Sequence, residues 1–172
     1  MAEKRNNNNS EIIFVGEFAH AVDSQRRIAI PKDWRIKDGE NRFYMLPGRH
    51  NSLQLMTYGA FKNLAEKLRK VSIVDPKASI ALGKLGASAR ECRCDKQGRM
   101  PIHEKLLEYA GIKKGSSIEP DLVLVGAFNN IQIWSKENWS KQQISDAEML
   151  DVLQKIEESP DDLTELLKGR NL

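Results

Sequence analysis

Two charged segments of this chain nearly repeat each other, and no other feature restricts its fold as much. Residues 21–31 read "AVDSQRRIAIP" and residues 93–103 read "RCDKQGRMPIH". Both run Asp-x-Gln-x-Arg, followed by an apolar, a small and an apolar residue. Asp23 aligns with Asp95 and Arg27 with Arg99, a shift of 72 residues. A second block, residues 46–68, aligns with residues 124–143 at a shift of 78, so that Leu46 meets Leu124, Gly48 meets Gly126 and Phe61 meets Trp139. The second copy therefore holds six extra residues between its blocks, near "EYAGIKKGSSIEP". Two matched blocks in the same order imply a duplicated unit of roughly 50–60 residues, since a solenoid generally needs at least about three repeats.

Each unit reads the same way. The apolar runs "GEFAHAV" and "ASARECRC" predict strands that end at the motif Asp. The turns "DSQRR" and "DKQGR" follow, with Asp as starter because its carboxylate accepts from amides two residues on. Gly98 makes a positive φ cheap in the second turn. Arg26 stands there in the first, which predicts a different or strained turn. The short strands "RIAI" and "RMPI" come next. Pro31 then opens a short helix, and "HEKLLEYAG" is its counterpart, ending at Gly111. A hairpin closes each unit, 42–56 and 121–134, and Thr57 and Ser135 are good N-caps for the helices that follow. Asp75-Pro76 predicts the start of a helical connector. Beyond residue 144 the pattern weakens, leaving a tail helix around a Ser159 cap and a mostly disordered tail both open.

The expected organisation is a disordered leader (1–11, with its four-Asn run), a first unit (12–70), a connector (71–86), a second unit (87–143) and an acidic tail (144–172). The fold class is α+β, mainly β. Charge is unevenly divided. Residues 1–90 carry 16 Lys/Arg against 9 Asp/Glu, residues 91–140 carry 7 against 7, and residues 141–172 carry 4 against 8. A basic first half can attract nucleic acid, and an acidic tail can shield that surface or stay solvated. No apolar run approaches a membrane span, and the polar N-terminus lacks the apolar core of a secretion signal, so a cytoplasmic protein is expected.

The sequence shows no convergent His/Cys/Ser or paired-carboxylate constellation, so no enzyme and no cofactor are expected. Cys92 and Cys94 read as packed strand residues, because two thiols alone make a thin metal site. His20, His50 and His103 are scattered. "GKLGAS" lacks the spacing of a phosphate-binding loop. Trp134 and Trp139 read as core anchors matching Met56 and Phe61, and "KNLAEKLRK" (62–70) reads as a solvated basic helix face.

"FVGEFAHAVDSQRRIAIPKDW", "GASARECRCDKQGRMPI" and "LVGAFNNIQIWSKENW" together resemble the MraZ family of bacterial transcriptional regulators. The resemblance covers roughly residues 12–143. It implies two tandem AbrB-like swapped-hairpin units that form a pseudo-twofold β-barrel with short flanking helices. It further implies a ring-shaped homo-oligomer, associated with the nucleoid, that binds short direct repeats of double-stranded DNA upstream of its own division and cell-wall operon. This chain departs from the family pattern at Val15, where Arg is usual, at Arg26, where Gly is usual, at "RMPIH", and in a connector less rich in Arg. These departures bear on the DNA sequence read more than on the fold.

A projecting turn that carries guanidinium groups suits DNA, where phosphates need charge and a guanine edge takes a bidentate fork. In that scheme Arg26, Arg27, Arg99 and Lys96 supply charge, and Gln25 and Gln97 supply hydrogen bonds. Asp23 and Asp95 brace the turns, since carboxylates repel phosphates. Arg27 and Arg99 either contact DNA or brace the turn, and a surface ion pair of that kind is worth about 0–1 kcal/mol. The competing class is an oligomeric protein-binding scaffold or antitoxin-like module.

Overall fold

In a computed structural model, residues 12–36, 41–70, 75–113 and 120–158 are described. The expected leader, the Ser159 cap and most of the six-residue insertion lie outside them. Eight strands and five α-helices are present among the described residues. The described residues fall into two compact units, one ending at Trp139 and the other beginning at Ser140.

The strands form a six-stranded antiparallel sheet and a two-stranded ribbon. The ribbon pairs β2 (Arg27–Ala29) with β6 (Arg99–Pro101). The larger sheet contains β1 (Glu17–His20), β3 (Arg42–Pro47), β4 (Leu53–Thr57), β5 (Arg90–Arg93), β7 (Leu122–Gly126) and β8 (Asn130–Ser135). Its order is β1-β7-β8-β4-β3-β5. Exchanging each strand for its repeat counterpart reverses that order onto itself. The first strand of each unit thus pairs with the hairpin of the other unit, β1 with β7 and β5 with β3.

The register carries the same symmetry. Ile28 pairs with Met100, and Gln54 pairs with Gln132. Each of these residues is opposite its own counterpart, at shifts of 72 and 78. The hairpins correct the sequence alignment by one residue. Leu46 pairs with Gln54 in the first, and Leu124 pairs with Ile133 in the second. With β4 and β8 related by 78, β3 and β7 are related by 79, so Met45 rather than Leu46 matches Leu124. Burial agrees, since Phe43 and Met45 are fully buried, as are Leu122 and Leu124. The second hairpin loop is one residue shorter, which sequence identity at Gly48 and Gly126 disguised.

The core is built from these matched positions: Ile28 with Met100, Ile30 with Ile102, Trp34 with Leu106, and Leu53 with Ile131. Each such side chain contributes about 1.5–3 kcal/mol when fully buried. Phe14 and Phe18 meet Trp34 edge-on, at 5.9 and 4.9 Å between ring centroids. Trp134 is buried and lies 5.5 Å from Trp139, while Phe61 stacks on Tyr44 at 4.0 Å.

Local caps explain the helices. Thr57 accepts from the Ala60 amide at the start of α1 (Tyr58–Leu68). Asp75 accepts from the Lys77 and Ala78 amides at the start of α2 (Pro76–Ser88). The Lys32–Trp34 segment forms one 3-10 turn after Pro31, whereas its counterpart, α3 (Glu104–Ala110), ends at Gly111 in a left-handed conformation. Ser135 accepts from the Asn138 amide in α4 (Lys136–Ser140). Helix α2 continues through Ser88, so the strand expected over 87–94 begins only at Arg90. Helix α5 (Asp146–Glu157) lies within the expected acidic tail, where the sequence pattern weakens, and Ser145 and Glu148 form a reciprocal capping box at its start.

Candidate nucleic-acid interface

The two motif turns lie at either end of the β2–β6 ribbon and have nearly identical geometry. The Asp23 Oδ1 accepts from the amides of Gln25 (2.9 Å) and Arg27 (2.8 Å), and its Oδ2 accepts from Arg27 Nε (2.8 Å). The Asp95 Oδ1 accepts from the amides of Gln97 and Arg99 (2.9 Å each), and its Oδ2 accepts from Arg99 Nε (2.9 Å). One carboxylate therefore closes the turn and fixes the direction of its arginine. The ribbon ties the two turns together through reciprocal bonds, from the Ile30 amide to the Gly98 carbonyl (2.9 Å) and from the Ile102 amide to the Arg26 carbonyl (2.8 Å). Arg27 Nη1 also approaches Asp95 Oδ2 at 3.7 Å.

Alternation along the ribbon explains the placement. Ile28 and Met100 enter the core, which leaves Arg27 and Arg99 on the other face. Gln25, Lys96 and Gln97 are exposed, and Arg26 is half-buried. Arg26 adopts a left-handed backbone (φ 61°), as Gly98 does (φ 79°). The first turn is thus the same turn as the second, built with a residue that pays for it in backbone strain. Its Nη1 reaches Glu104 Oε2 at 3.2 Å, at the start of α3.

Two further cationic features escaped the sequence reading. Arg35 donates from Nε to the Ile30 carbonyl (2.9 Å), and its guanidinium covers Gly98 so closely that an added Cβ would lie 1.9 Å from Cζ. Arg35 aligns with buried Leu107 in the second copy, so a search for repeated residues passes over it. Only the close approach to Gly98 reveals it. The second feature is a charged cluster on β3 and β5. Arg42 Nη2 donates to the Tyr44 hydroxyl (2.8 Å), and Arg42 and Arg93 both pair with Glu91 at 3.0 Å. Arg42 also lies 4.7 Å from the Tyr58 ring centroid.

The electrostatics follow these contacts. Partial desolvation raises the Asp23 carboxyl, but the amide and guanidinium of Arg27 outweigh it and hold the group below its ordinary value. The Arg99 amide is the largest influence on Asp95 and lowers it, against a smaller desolvation effect. Both remain ionised beside their arginines at neutral pH. The turns and the groups packed on them carry five cations (Arg26, Arg27, Arg35, Lys96 and Arg99) against three anions (Asp23, Asp95 and Glu104). Burial pushes the thiols of Cys92 and Cys94 up to about 11 and lowers His20. Among the described residues no group of three or more His, Cys, Asp or Glu side chains is placed to hold a metal ion, and no helix is long and apolar enough to cross a membrane.

The fold and this surface together define a two-repeat α+β protein with strand exchange between its halves and a doubled Asp-Arg turn. Residues 13–82 and 85–157 each match the family model described as "MraZ protein, putative antitoxin-like". The chain belongs to the MraZ family. It is 37% identical over 147 residues to the transcriptional regulator MraZ of Caldicellulosiruptor bescii, spanning 85% of this chain and 98% of that protein. It is 34% identical to the transcriptional regulator MraZ of Clostridium acetobutylicum and 33% to that of Clostridium tetani, each over 146 residues, with the same coverage.

Proposed function

We propose that this protein is a sequence-specific DNA-binding transcriptional regulator and that the β2–β6 ribbon is its DNA-contacting element. One observation carries the reading: each motif carboxylate anchors an arginine through Nε, so two pre-oriented, half-buried guanidinium groups lie on one ribbon face. An anchored fork forfeits less conformational entropy when it meets a phosphate or a guanine edge. Arg26 and Lys96 extend the cationic surface, Arg35 reinforces it, and Gln25 and Gln97 supply hydrogen bonds. Asp23 and Asp95 act through the arginines. The names borne by relatives from Caldicellulosiruptor and Clostridium support regulation of transcription.

The finer reading follows the family resemblance. The units 12–70 and 87–143, joined by the 71–86 connector, are AbrB-like swapped hairpins that close as a pseudo-twofold barrel, and residues 144–172 form an acidic tail. Copies assemble as a ring that reads short direct repeats upstream of the protein's own division and cell-wall operon, at the nucleoid in the cytoplasm. Repeating the contact around a ring raises avidity through effective concentration. The protein acts without catalysis or cofactor.

Fluorescence anisotropy with the DNA just upstream of the gene, titrated with salt against a scrambled duplex, tests this. Preferential binding with a steep salt dependence is expected. Replacing Arg26 and Arg27 with Ala is expected to weaken binding by about 1–3 kcal/mol per specific contact and to reduce the salt slope. Unchanged affinity and slope in a folded double variant would sink the assignment. Equal, weak binding to both duplexes would favour a protein-binding scaffold.

A further inference from the structure

The two ends of the ribbon differ at one matched pair of positions. At the shift of 72 residues, Arg26 corresponds to Gly98 and Glu104 to Lys32. Beside the first turn, the Ile102 amide donates to the Arg26 carbonyl (2.8 Å), and two residues further on Glu104 opens α3. Glu104 Oε2 lies 3.2 Å from Arg26 Nη1, with the Arg26 and Glu104 side chains 41% and 57% exposed, so both are within reach of a partner laid on the turn. Beside the second turn, the Ile30 amide donates to the Gly98 carbonyl (2.9 Å), and Lys32 holds the place of Glu104. That turn has no side chain at Gly98, and the Arg35 guanidinium covers the position. Lys32 and Lys96 are both exposed.

The two ends suit different chemistry. A carboxylate against a guanidinium cancels much of the charge that attracts a phosphate. It also fixes the fork by Nη1 and turns the edge formed by Nε and Nη2 toward a partner, and such an edge matches the O6 and N7 acceptors of guanine. Asp23 orients Arg27 in the same manner, by taking Nε. A carboxylate at this place further penalises any register that sets a phosphate beside it. A lysine ammonium is a point charge without a fork, which grips phosphates and reads no sequence.

We propose that Glu104 is a specificity-determining residue: it holds Arg26 as a reader of guanine edges, while Lys32, Lys96 and Arg35 at the other end of the ribbon grip phosphates. The inference rests on DNA contact through the ribbon and assigns its two ends different work. Glu104 acts through Arg26 and is a positioning residue.

Fluorescence anisotropy on the full chain with the upstream and the scrambled duplex, each titrated with salt, tests it, with circular dichroism and urea unfolding to verify folding. Glu104→Gln keeps the shape of the side chain and removes its charge. It is expected to tighten binding to the scrambled duplex and to steepen that salt dependence by about one counterion, as Arg26 turns to a phosphate. The preference for upstream DNA is expected to fall at least about fivefold, the smaller end of what one bidentate base contact supplies. Lys32→Ala and Lys96→Ala are expected to weaken both duplexes alike, each lowering the salt slope by about one and leaving the preference within about twofold. In an Arg26→Ala chain, Glu104→Gln is expected to change the preference no further. A preference that Glu104→Gln leaves unchanged, in a protein that does prefer upstream DNA, overturns the assignment and leaves DNA reading standing. A loss of full size in the Arg26→Ala chain overturns it too, because the effect then bypasses Arg26. A wild-type chain without preference between the duplexes overturns the proposed function and this inference together.

Discussion

Arg26 occupies a backbone position that glycine takes in the second copy, with φ 61° against 79° for Gly98. For a residue with a Cβ that conformation costs roughly 1–2 kcal/mol, and an exposed ion pair to Glu104 returns about 0–1 kcal/mol. Arg26→Gly is therefore expected to raise stability by up to about 1 kcal/mol in urea unfolding while DNA affinity falls. A destabilised variant with intact binding would contradict both halves of that expectation. Gly98→Ala runs the other way, because a residue with a Cβ is strained at φ 79° and that Cβ would also displace the Arg35 guanidinium, and a loss of about 1–3 kcal/mol is expected. The motif carboxylates set a pH dependence. Asp23 and Asp95 are held below their ordinary value of 3.8, so the stability they add is fully present above that value. It is lost as pH falls through their depressed folded values. Thermal unfolding followed from pH 6 to pH 2 is expected to show a shallower acid decline in an Asp23→Asn, Asp95→Asn variant than in the wild type. Parallel curves would show that the two carboxylates are not the linked groups.

At the scale of elements, what was legible in the sequence was local. Thr57, Asp75, Ser135 and Gly111 sit at helix ends where short-range hydrogen bonding decides the outcome. The one-residue offset between β3 and β7 was not legible, because identity at Gly48 and Gly126 outweighed a register that only strand pairing reveals. Arg35 was missed for the same reason, since its contact with Gly98 spans 63 residues of sequence and has no repeat counterpart. The start of α5 is written in "SDAE" as a capping box, a short-range signal that the acidic composition of the tail masks. Ser145→Ala removes the acceptor for the Glu148 amide and the hydroxyl that donates to the Glu148 carboxylate, and keeps the bond from the Ser145 amide to that carboxylate. A loss of about 1 kcal/mol of local helix stability is expected. Amide hydrogen exchange should show faster exchange confined to the first turns of α5; unchanged protection there would mean that the cap contributes little.

At the scale of the molecule, exchange of strands makes the halves mutually dependent. Of the described strands in the first half, β1 pairs with β7 and β2 with β6, leaving among them only the β3–β4 hairpin internally paired. An isolated hairpin is marginal in water. Residues 1–74 expressed alone are expected to show no cooperative unfolding transition as a monomer, and to regain one when mixed with residues 75–172. Cooperative folding of the monomeric fragment, seen by circular dichroism and sedimentation, would refute that dependence. The pairing of Ile28 with Met100 and Gln54 with Gln132 has a further consequence. A protein assembled from two identical chains has interchangeable halves, and what it reads looks the same from either direction. Here one chain supplies both halves, and its two prongs have diverged: Ser24, Gln25 and Arg26 on one, Lys96, Gln97 and Gly98 on the other. The ribbon has a head and a tail. On the proposed function, inverting a recognition element without changing its composition is an operation this protein can detect.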